Sequence, residues 1–575
     1  MTRTFEGVGA TPLSGVGTAR WSDPPLPEFE HESDDPERER ERFEDARDAA
    51  RAAIQTERER AAEHLGEEEA GILDAHRQFL DDPQIESSVE TAIEAGHTAE
   101  AAVETAFDDP IEQYEESGGR LAERADDLRD VRDRLLRTLA DVDAVDLSAL
   151  PEGTVLLAER LAPSDAARLD PDRVAGLATV VGGRTAHAAI VARALGIPAV
   201  VGVGDDLREV EDGEQLVVDG DVGTVVVDAD EATLTAAKRG REVDVIAEPV
   251  ETADGHPIEV AANVGRPVEL EGAVANGADG VGLYRTEFLY VDRSTPPDED
   301  EQFEAYRNAL DAFPDRRIVI RTADVGGDKP IPYLDLPEEP NPFLGVRGVR
   351  RSLGPDGDLF ETQLRALLRA AGDAAAGDGS PNDAASDEST GALAVMFPMV
   401  TELRELEAVL ERIAAVEDDL GDAGEPVARP ELGVMIETPA AVRMAPELAE
   451  HLDFLSIGTN DLTQYVMAAD RDNEQVASLH DPLHPPVVRA IRATIEGGHE
   501  NDAWVGMCGE MAGDPSVTEL LLGLGLDEFS ASAVTIPQVK AKVQQTTLED
   551  AEALAERVLD AATREEVQAI LDGEG

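Results

Sequence analysis

The chain has 575 residues, carries 123 acidic and 49 basic side chains for a formal net charge of −74, and is 42% hydrophobic. That length accommodates about three or four domains of roughly 150 residues, and charge of this sign repels nucleic-acid phosphates and anionic lipid, so neither is expected as a partner. No apolar run approaches the roughly 20 residues needed to cross a bilayer, and the single cysteine, Cys508, excludes an intramolecular disulfide and a cysteine-based zinc site.

The first residues, MTRTFEGVGATPLSG, lack the apolar core of a secretory signal, so a soluble, cytoplasmic protein is expected. Four of the basic residues are lysines (Lys238, Lys329, Lys540 and Lys542) and the rest are arginines. Long periodic apolar segments exclude a disordered acidic chain. The acidic excess therefore reads as a solvation coat suited to a halophilic cytoplasm, where the Debye length falls to about 3 Å near 1 M salt.

In chain order, residues 1–20 are glycine-rich and predict short strands. Residues 34–140 predict helix almost throughout, with Leu, Ile and Ala recurring every three or four positions among Glu and Arg. Pro83, Pro110 and Gly118-Gly119 interrupt that pattern, which favours a bundle of antiparallel helices over a continuous coiled coil. From about residue 145, apolar runs at 154–159, 178–183, 199–203 and 224–228 predict strands alternating with short helices. Residues 230–247 predict a charged connecting helix.

The stretch 250–575 contains eight strand-like runs separated by helical segments, at 258–264, 280–287, 318–325, 393–400, 432–438, 453–461, 504–510 and 527–532. That count predicts a (β/α)8 barrel, whose chemistry gathers at the C-terminal ends of the strands. Most of the runs end in polar groups: Arg285-Thr286-Glu287, Arg321, Glu437, Asn460-Asp461 and Cys508-Gly509-Glu510. Residues 371–391, acidic and of low complexity, predict a disordered surface insertion.

His187 lies in GGRTAHAAIVARALGIPAVVG (182–202). Paired glycines allow a turn after a strand, and AAIVARAL predicts a helix, which puts His187 near a helix N-terminus. Free amides and the helix dipole favour an anion there. A neutral imidazole is a competent phosphate acceptor, although a surface or capping histidine would also suit the position. This segment resembles the phosphohistidine signature of the phosphoenolpyruvate-utilising enzymes, which include Enzyme I of the sugar phosphotransferase system, phosphoenolpyruvate synthase and pyruvate phosphate dikinase. Arg184-Thr185 is similar to Enzyme I and His187-Ala188-Ala189 to the other two, so this segment alone does not choose between them.

In the barrel region, Arg285, Arg321, Arg347 and Arg471 suit a small phosphate- and carboxylate-bearing anion, because the planar guanidinium donates two bonds at once. Glu437 and Asp461 are hard oxygen donors of the kind that hold Mg²⁺, although helix capping is an alternative for both. A lone cysteine is ordinarily a small buried hydrophobe.

The resemblance to Enzyme I extends through GVGLYRTEFLYVDR, RTADVGGDKPIPYL, NPFLGVRGVR, VMIETPAAV, FLSIGTNDLTQYVMAADR and GMCGEMAGD, and into VGATPLSGVGTAR and GEEEAGILDAHRQFLDDPQI near the start. It implies a multidomain α/β chain. Residues 1–25 and 143–230 would form a discontinuous swivelling phosphohistidine domain, and 26–142 an inserted helical domain that docks the histidine phosphocarrier protein HPr. Residues 231–250 would be a linker helix and 251–575 a TIM barrel binding phosphoenolpyruvate. Arg285, Arg321, Asn460 and Arg471 would contact phosphoenolpyruvate, with Arg347 lining the pocket and Glu437 and Asp461 holding Mg²⁺. His187 would carry the phosphoryl group and Cys508 would protonate the enolate. The barrel would form a homodimer.

The implied activity is that of a phosphoenolpyruvate–protein phosphotransferase. The alternatives are a synthase-like phosphotransferase and a regulatory phosphoenolpyruvate sensor. No GxxxxGK[ST] phosphate loop is present, and the chain is expected to start too near the swivelling domain to hold the nucleotide domain of the synthases.

Overall fold

The computed structural model describes the chain apart from residues 1, 12, 23–28, 65–75, 118–119, 143–144, 146, 162–168, 171–172, 183–187, 190–191, 193–194, 221, 231–232, 235–236, 238–244, 292, 294, 315, 327–330, 332, 335, 337–338, 340, 378–391, 472, 474–475, 477–478 and 574–575. Contacts divide it into two units, Met1–Glu242 and Val243–Gly575.

In the first unit, valine-rich segments too short to bury themselves combine into one eight-stranded sheet. Its strands are β1 (Arg3–Glu6), β2 (Val8–Gly9), β3 (Ser14–Trp21), β4 (Thr154–Ala158), β5 (Val174–Thr179), β6 (Ala199–Val201), β7 (Gln215–Asp219) and β8 (Thr224–Val227), in the order β1-β8-β7-β3-β4-β5-β6-β2. β3 and β4 pair in parallel, Trp21 against Leu157, although the helical segment separates them in sequence. That segment is therefore an insertion between two neighbouring strands. The sequence predicted a strand at 178–183, but β5 starts at Val174 and ends at Thr179. All six of its residues are buried, so the strand follows the doubly covered run, and Gly182 turns away with φ 136°. β7 is a strand that the sequence reading missed.

The insertion consists of α1 (Pro36–His64), α2 (Pro83–Glu94), α3 (Ala99–Ser117) and α4 (Arg120–Leu139), with a further described helical turn at 76–80. Pro83 begins α2 after Asp82, whose side chain accepts from Gln84 N at 2.7 Å. Pro110 does not break α3. A mid-helix proline costs about 3 kcal/mol, and here it sits between Phe107 and Ile111, both buried in the bundle core. Arg42 ties α1 to α3 and α4 by pairing with Glu39 and Glu100 and donating to Leu139 O at 3.2 Å.

The second unit contains β9 (Val250–Glu251) and the eight predicted barrel strands. These are β10 (Pro257–Val264), β11 (Val281–Arg285), β12 (Ile318–Arg321), β13 (Leu393–Phe397), β14 (Glu431–Ile436), β15 (Phe454–Ile457), β16 (Trp504–Met507) and β17 (Glu528–Ala531). Neighbours from β10 to β17 pair in parallel, and β10 pairs with both β11 and β17, which closes a TIM barrel. Leu283, Val319, Ala394, Met396, Met435 and Phe454 fill its interior, while a larger apolar layer packs strands against helices. Where the sequence predicted strand to Asp461, β15 ends at Ile457 and α5 (Thr459–Met467) begins, so Asn460 and Asp461 lie in a helix's first turn. A helix spans Gly357–Gly377, so 371–377, predicted as disordered insertion, are helical; alanine-rich AAGDAAAG favours that state. The remainder of that insertion, 378–391, and most of the predicted linker helix lie outside the described residues. No helix among the described residues is long and apolar enough to cross a membrane.

At the N-terminal ends of the barrel strands, Arg317 pairs with Glu259 at 2.5 Å and Glu431 at 3.4 Å and lies 4.0 Å above the Trp504 ring. Glu528 stands beside Glu259 in register, and neither of its carboxylate oxygens has a hydrogen-bond partner among the described residues. Burial, with the Glu259 charge, pushes the Glu528 carboxyl up to about 8. The native state thus holds a proton that the unfolded chain releases above its ordinary value of 4.5. Stability from this group is full below that value and is lost as pH rises toward the folded one. Glu528→Gln is expected to flatten this decline, measured as thermal midpoints at about pH 5 and about pH 9; an unaltered slope would exclude Glu528 as its source.

Candidate active site

At the C-terminal ends of the barrel strands, local capping fixes which side chains face the opening. Thr438 caps the short helix after β14, accepting from Ala441 N at 3.2 Å, with Pro439 at its first position. That leaves Glu437 at the strand tip, where its Oε1 accepts from Met399 N at 2.6 Å. Met399 takes a positive φ of 60° to present that amide, a strained conformation of the sort found at functional sites. Gly458 occupies the cap position of α5, so the Asp461 side chain is left to pair with arginines. At the other end of α5, Ala468 turns the chain back with φ 52°, and Arg471 N then donates to Gln464 Oε1 at 3.2 Å.

These groups form one connected network. Arg321 pairs with Glu287 at 3.0 Å and Asp324 at 3.7 Å. Arg347 pairs with Asp324 at 2.7 Å and lies 3.7 Å from Asp461, which in turn lies 3.4 Å from Arg471. Arg285 ends β11 beside Arg321 in register and is exposed at the opening. Asn460, half-buried, precedes Asp461, and its carbonyl lies 2.9 Å from His480 Nε2. The sequence reading placed Glu287 among the polar strand ends but gave it no role, and it missed Asp324. Their signal was position, since one follows Arg285-Thr286 and the other lies three residues after Arg321.

Electrostatics follow from burial. Desolvation opposes the charges of Arg321 and Arg347, but Glu287, Asp324 and Glu437 outweigh it for the first and Asp324, Asp461 and Glu437 for the second, so both are held above the ordinary guanidinium value. Arg321 Nε and Arg347 Nη1 are buried without an acceptor among the described residues, donors left over for an anion. Burial and the nearby Asp461 and Asp324 carboxylates push Glu437 well above the ordinary carboxylate range, and Arg321 and Arg347 offset part of this.

That crowding of carboxylates suits a divalent cation. Among the described residues no three His, Cys, Asp or Glu side chains gather tightly enough to hold a metal alone. Mg²⁺ commonly takes one or two carboxylates and completes its shell with water and substrate oxygens, so Glu437 and Asp461 fit it as a partial donor set.

Cys508 follows β16, its amide donating to Ile457 O at 3.1 Å and its thiol lying 3.7 Å from the same oxygen. A side chain at Gly509 would stand 1.7 Å from Thr459 Oγ1, so only glycine lets the cysteine loop pass this close to α5. Burial pushes the Cys508 thiol up to about 11; Ser456 and Arg321 act in the opposite direction, while Glu437 and Glu528 add to it. The group is an acid that keeps its proton at neutral pH.

His187, with Arg184 and Thr185, lies outside the described residues. The following Ala188, Ala189 and Ala192 are buried in a core with Leu156, Leu177 and Ile197.

The chain matches three family descriptions: "PEP-utilising enzyme, N-terminal" over 6–124, "PEP-utilising enzyme, mobile domain" over 150–223 and "PEP-utilising enzyme, PEP-binding domain" over 239–548. It is 59% identical to a phosphoenolpyruvate-protein phosphotransferase of Haloferax volcanii, over 99% of each chain. Proteins of the same name from Bacillus sp. (strain S) and Bacillus subtilis are 42% and 38% identical, covering 98% and 99% of this chain and 97% and 99% of theirs. An Enzyme I structure determined by NMR is 36% identical over 41% of this chain and 97% of its own, with a TM-score of 0.36.

Proposed function

The chain belongs to the phosphoenolpyruvate–protein phosphotransferase family of PEP-utilising enzymes, and from that premise we propose that it moves the phosphoryl group of phosphoenolpyruvate onto His187 and then to the histidine phosphocarrier protein HPr, releasing pyruvate. The observation that carries this reading is the network Arg321–Asp324–Arg347–Asp461–Arg471 at the barrel opening, with Glu437 and Cys508 beside it. Phosphoryl transfer asks for position and charge neutralisation more than for covalent chemistry from the protein. Arg285, Arg321, Arg347 and Arg471 spread the charge of the substrate's phosphate and carboxylate, and Asn460 donates to it. Glu437 and Asp461 would hold Mg²⁺, which would supply Lewis-acid neutralisation of the phosphoryl charge.

The His187 ring nitrogen forms the new N–P bond as the bridging P–O bond breaks, leaving enolpyruvate. Cys508 gives its proton to C3 of that enolate, which yields pyruvate. The unit bearing His187 then has to present it to the carrier, which the segment around 66–85, whose residues 66–75 lie outside the described residues, would dock, with residues 231–250 as the pivot. We assign 1–25 and 143–230 to the swivelling domain, 26–142 to the docking domain and 251–575 to the barrel. A cytoplasmic, salt-adapted homodimer joined through the barrel completes the proposal.

The decisive assay mixes the protein with radiolabelled phosphoenolpyruvate, Mg²⁺ and candidate carriers at high salt. Label is expected on the chain only when Mg²⁺ is present, and then on the carrier. Glu437→Gln is expected to lower the labelling rate at least about a hundredfold. Labelling that ignores both the cation and this substitution would remove Glu437 from the metal site.

A further inference from the structure

Two of the arginines in this network share one aromatic ring. Arg347 Cζ lies 5.6 Å and Arg471 Cζ 5.5 Å from the centroid of Phe343, both inside the reach of a cation–π contact. The two also share one carboxylate, Asp461, at 3.7 Å and 3.4 Å. Phe343 sits in the single turn Pro342–Leu344, and its carbonyl accepts the Tyr465 hydroxyl of α5, the helix that bears Asn460 and Asp461. One arginine comes from the loop after β12 and the other from the loop after α5, so the ring joins two separate loops while this hydrogen bond ties the first of them to α5.

We propose that Phe343 is a positioning residue for substrate binding: its ring is the common platform that sets Arg347 and Arg471 apart, and Tyr465 fixes the platform to α5. The physical need is plain. Two long, like-charged side chains around one carboxylate have many rotamers in which both turn onto Asp461. Contact with the ring face restricts the guanidinium planes, so their remaining donors stay directed at an incoming anion. A ligand with charge at two ends, such as a phosphate joined to a carboxylate, requires that separation, whereas a monoanion does not. The inference rests on the proposal that Arg347 and Arg471 bind phosphoenolpyruvate.

The test compares steady-state kinetics of Phe343→Ala, Phe343→Tyr, Tyr465→Phe and Arg471→Ala in the full chain. Phe343→Ala is expected to raise KM for phosphoenolpyruvate about tenfold through loss of both ring contacts, with kcat changed much less. Phe343→Tyr, which keeps the ring, is expected to restore KM. Tyr465→Phe, which removes only the tether, is expected to shift KM in the same direction by about threefold. If Arg471→Ala raises KM while neither Phe343→Ala nor Tyr465→Phe does, the platform is wrong and the arginine site stands. If Arg471→Ala leaves KM unchanged, the site reading itself fails and takes the platform with it. Equal falls in kcat with a lowered thermal midpoint, unrelieved in Phe343→Tyr, would show a role in folding only.

Discussion

Replacing His187 with alanine is expected to abolish acid-labile labelling of the chain by radiolabelled phosphoenolpyruvate, a loss limited only by the detection threshold. The reason is stoichiometric. A covalent carrier is consumed and regenerated in each cycle, and no binding group substitutes for the atom that bears the phosphoryl group. The substitution also removes the only imidazole in GGRTAHAAIVARALG, while the buried alanines that follow it, Ala188, Ala189 and Ala192, are untouched. The variant should therefore fold. Phosphoenolpyruvate should still protect its barrel from heat, because the arginine and carboxylate network is intact. Persistent acid-labile label on His187→Ala would move the carrier to another histidine and end the present scheme.

Cys508→Ser is expected to slow pyruvate formation about 10²- to 10⁴-fold, the usual contribution of a positioned general acid. Serine keeps the size of the side chain in the interior cluster with Leu283, Met435 and Phe454, so packing is preserved. It replaces a thiol, pushed up to about 11 by burial, with a far weaker acid. A raised value keeps the donor protonated across neutral pH. In the wild type, then, no alkaline decline assignable to Cys508 is expected until pH approaches about 11. Labelling of His187 should fall less than pyruvate release if the P–O bond breaks before the enolate is protonated. Wild-type turnover in Cys508→Ser would mean that another group supplies the proton.

The eight barrel strands were legible because each is a short apolar run bounded by turn residues, and the C-terminal chemistry of such barrels made their polar ends conspicuous. Boundaries were less legible. The β5 run slid by four residues because Val180 and Val181 look as strand-like as Val174, and only the sheet shows which are covered on both faces. Pro110 read as a break because a proline costs the same in any sequence, whereas the packing of Phe107 and Ile111 that carries it through α3 is tertiary. Asn460 and Asp461 were placed at a strand end and proved to open a helix, since IGTND satisfies both patterns locally.

By itself the sequence determined the barrel, through local periodicity, and the family, through the resemblance of its motifs; residue type at strand ends together with that resemblance singled out the arginines, carboxylates and thiol as candidates. Only the tertiary structure decided the partners: that Asp324 lies between Arg321 and Arg347, that Asp461 is shared by Arg347 and Arg471, and that one phenyl ring serves both. Those relations join residues from different strands and loops, whose distances are set by barrel closure. Charge pairing depends on separation and on burial, and neither is written in the spacing of residues along a chain.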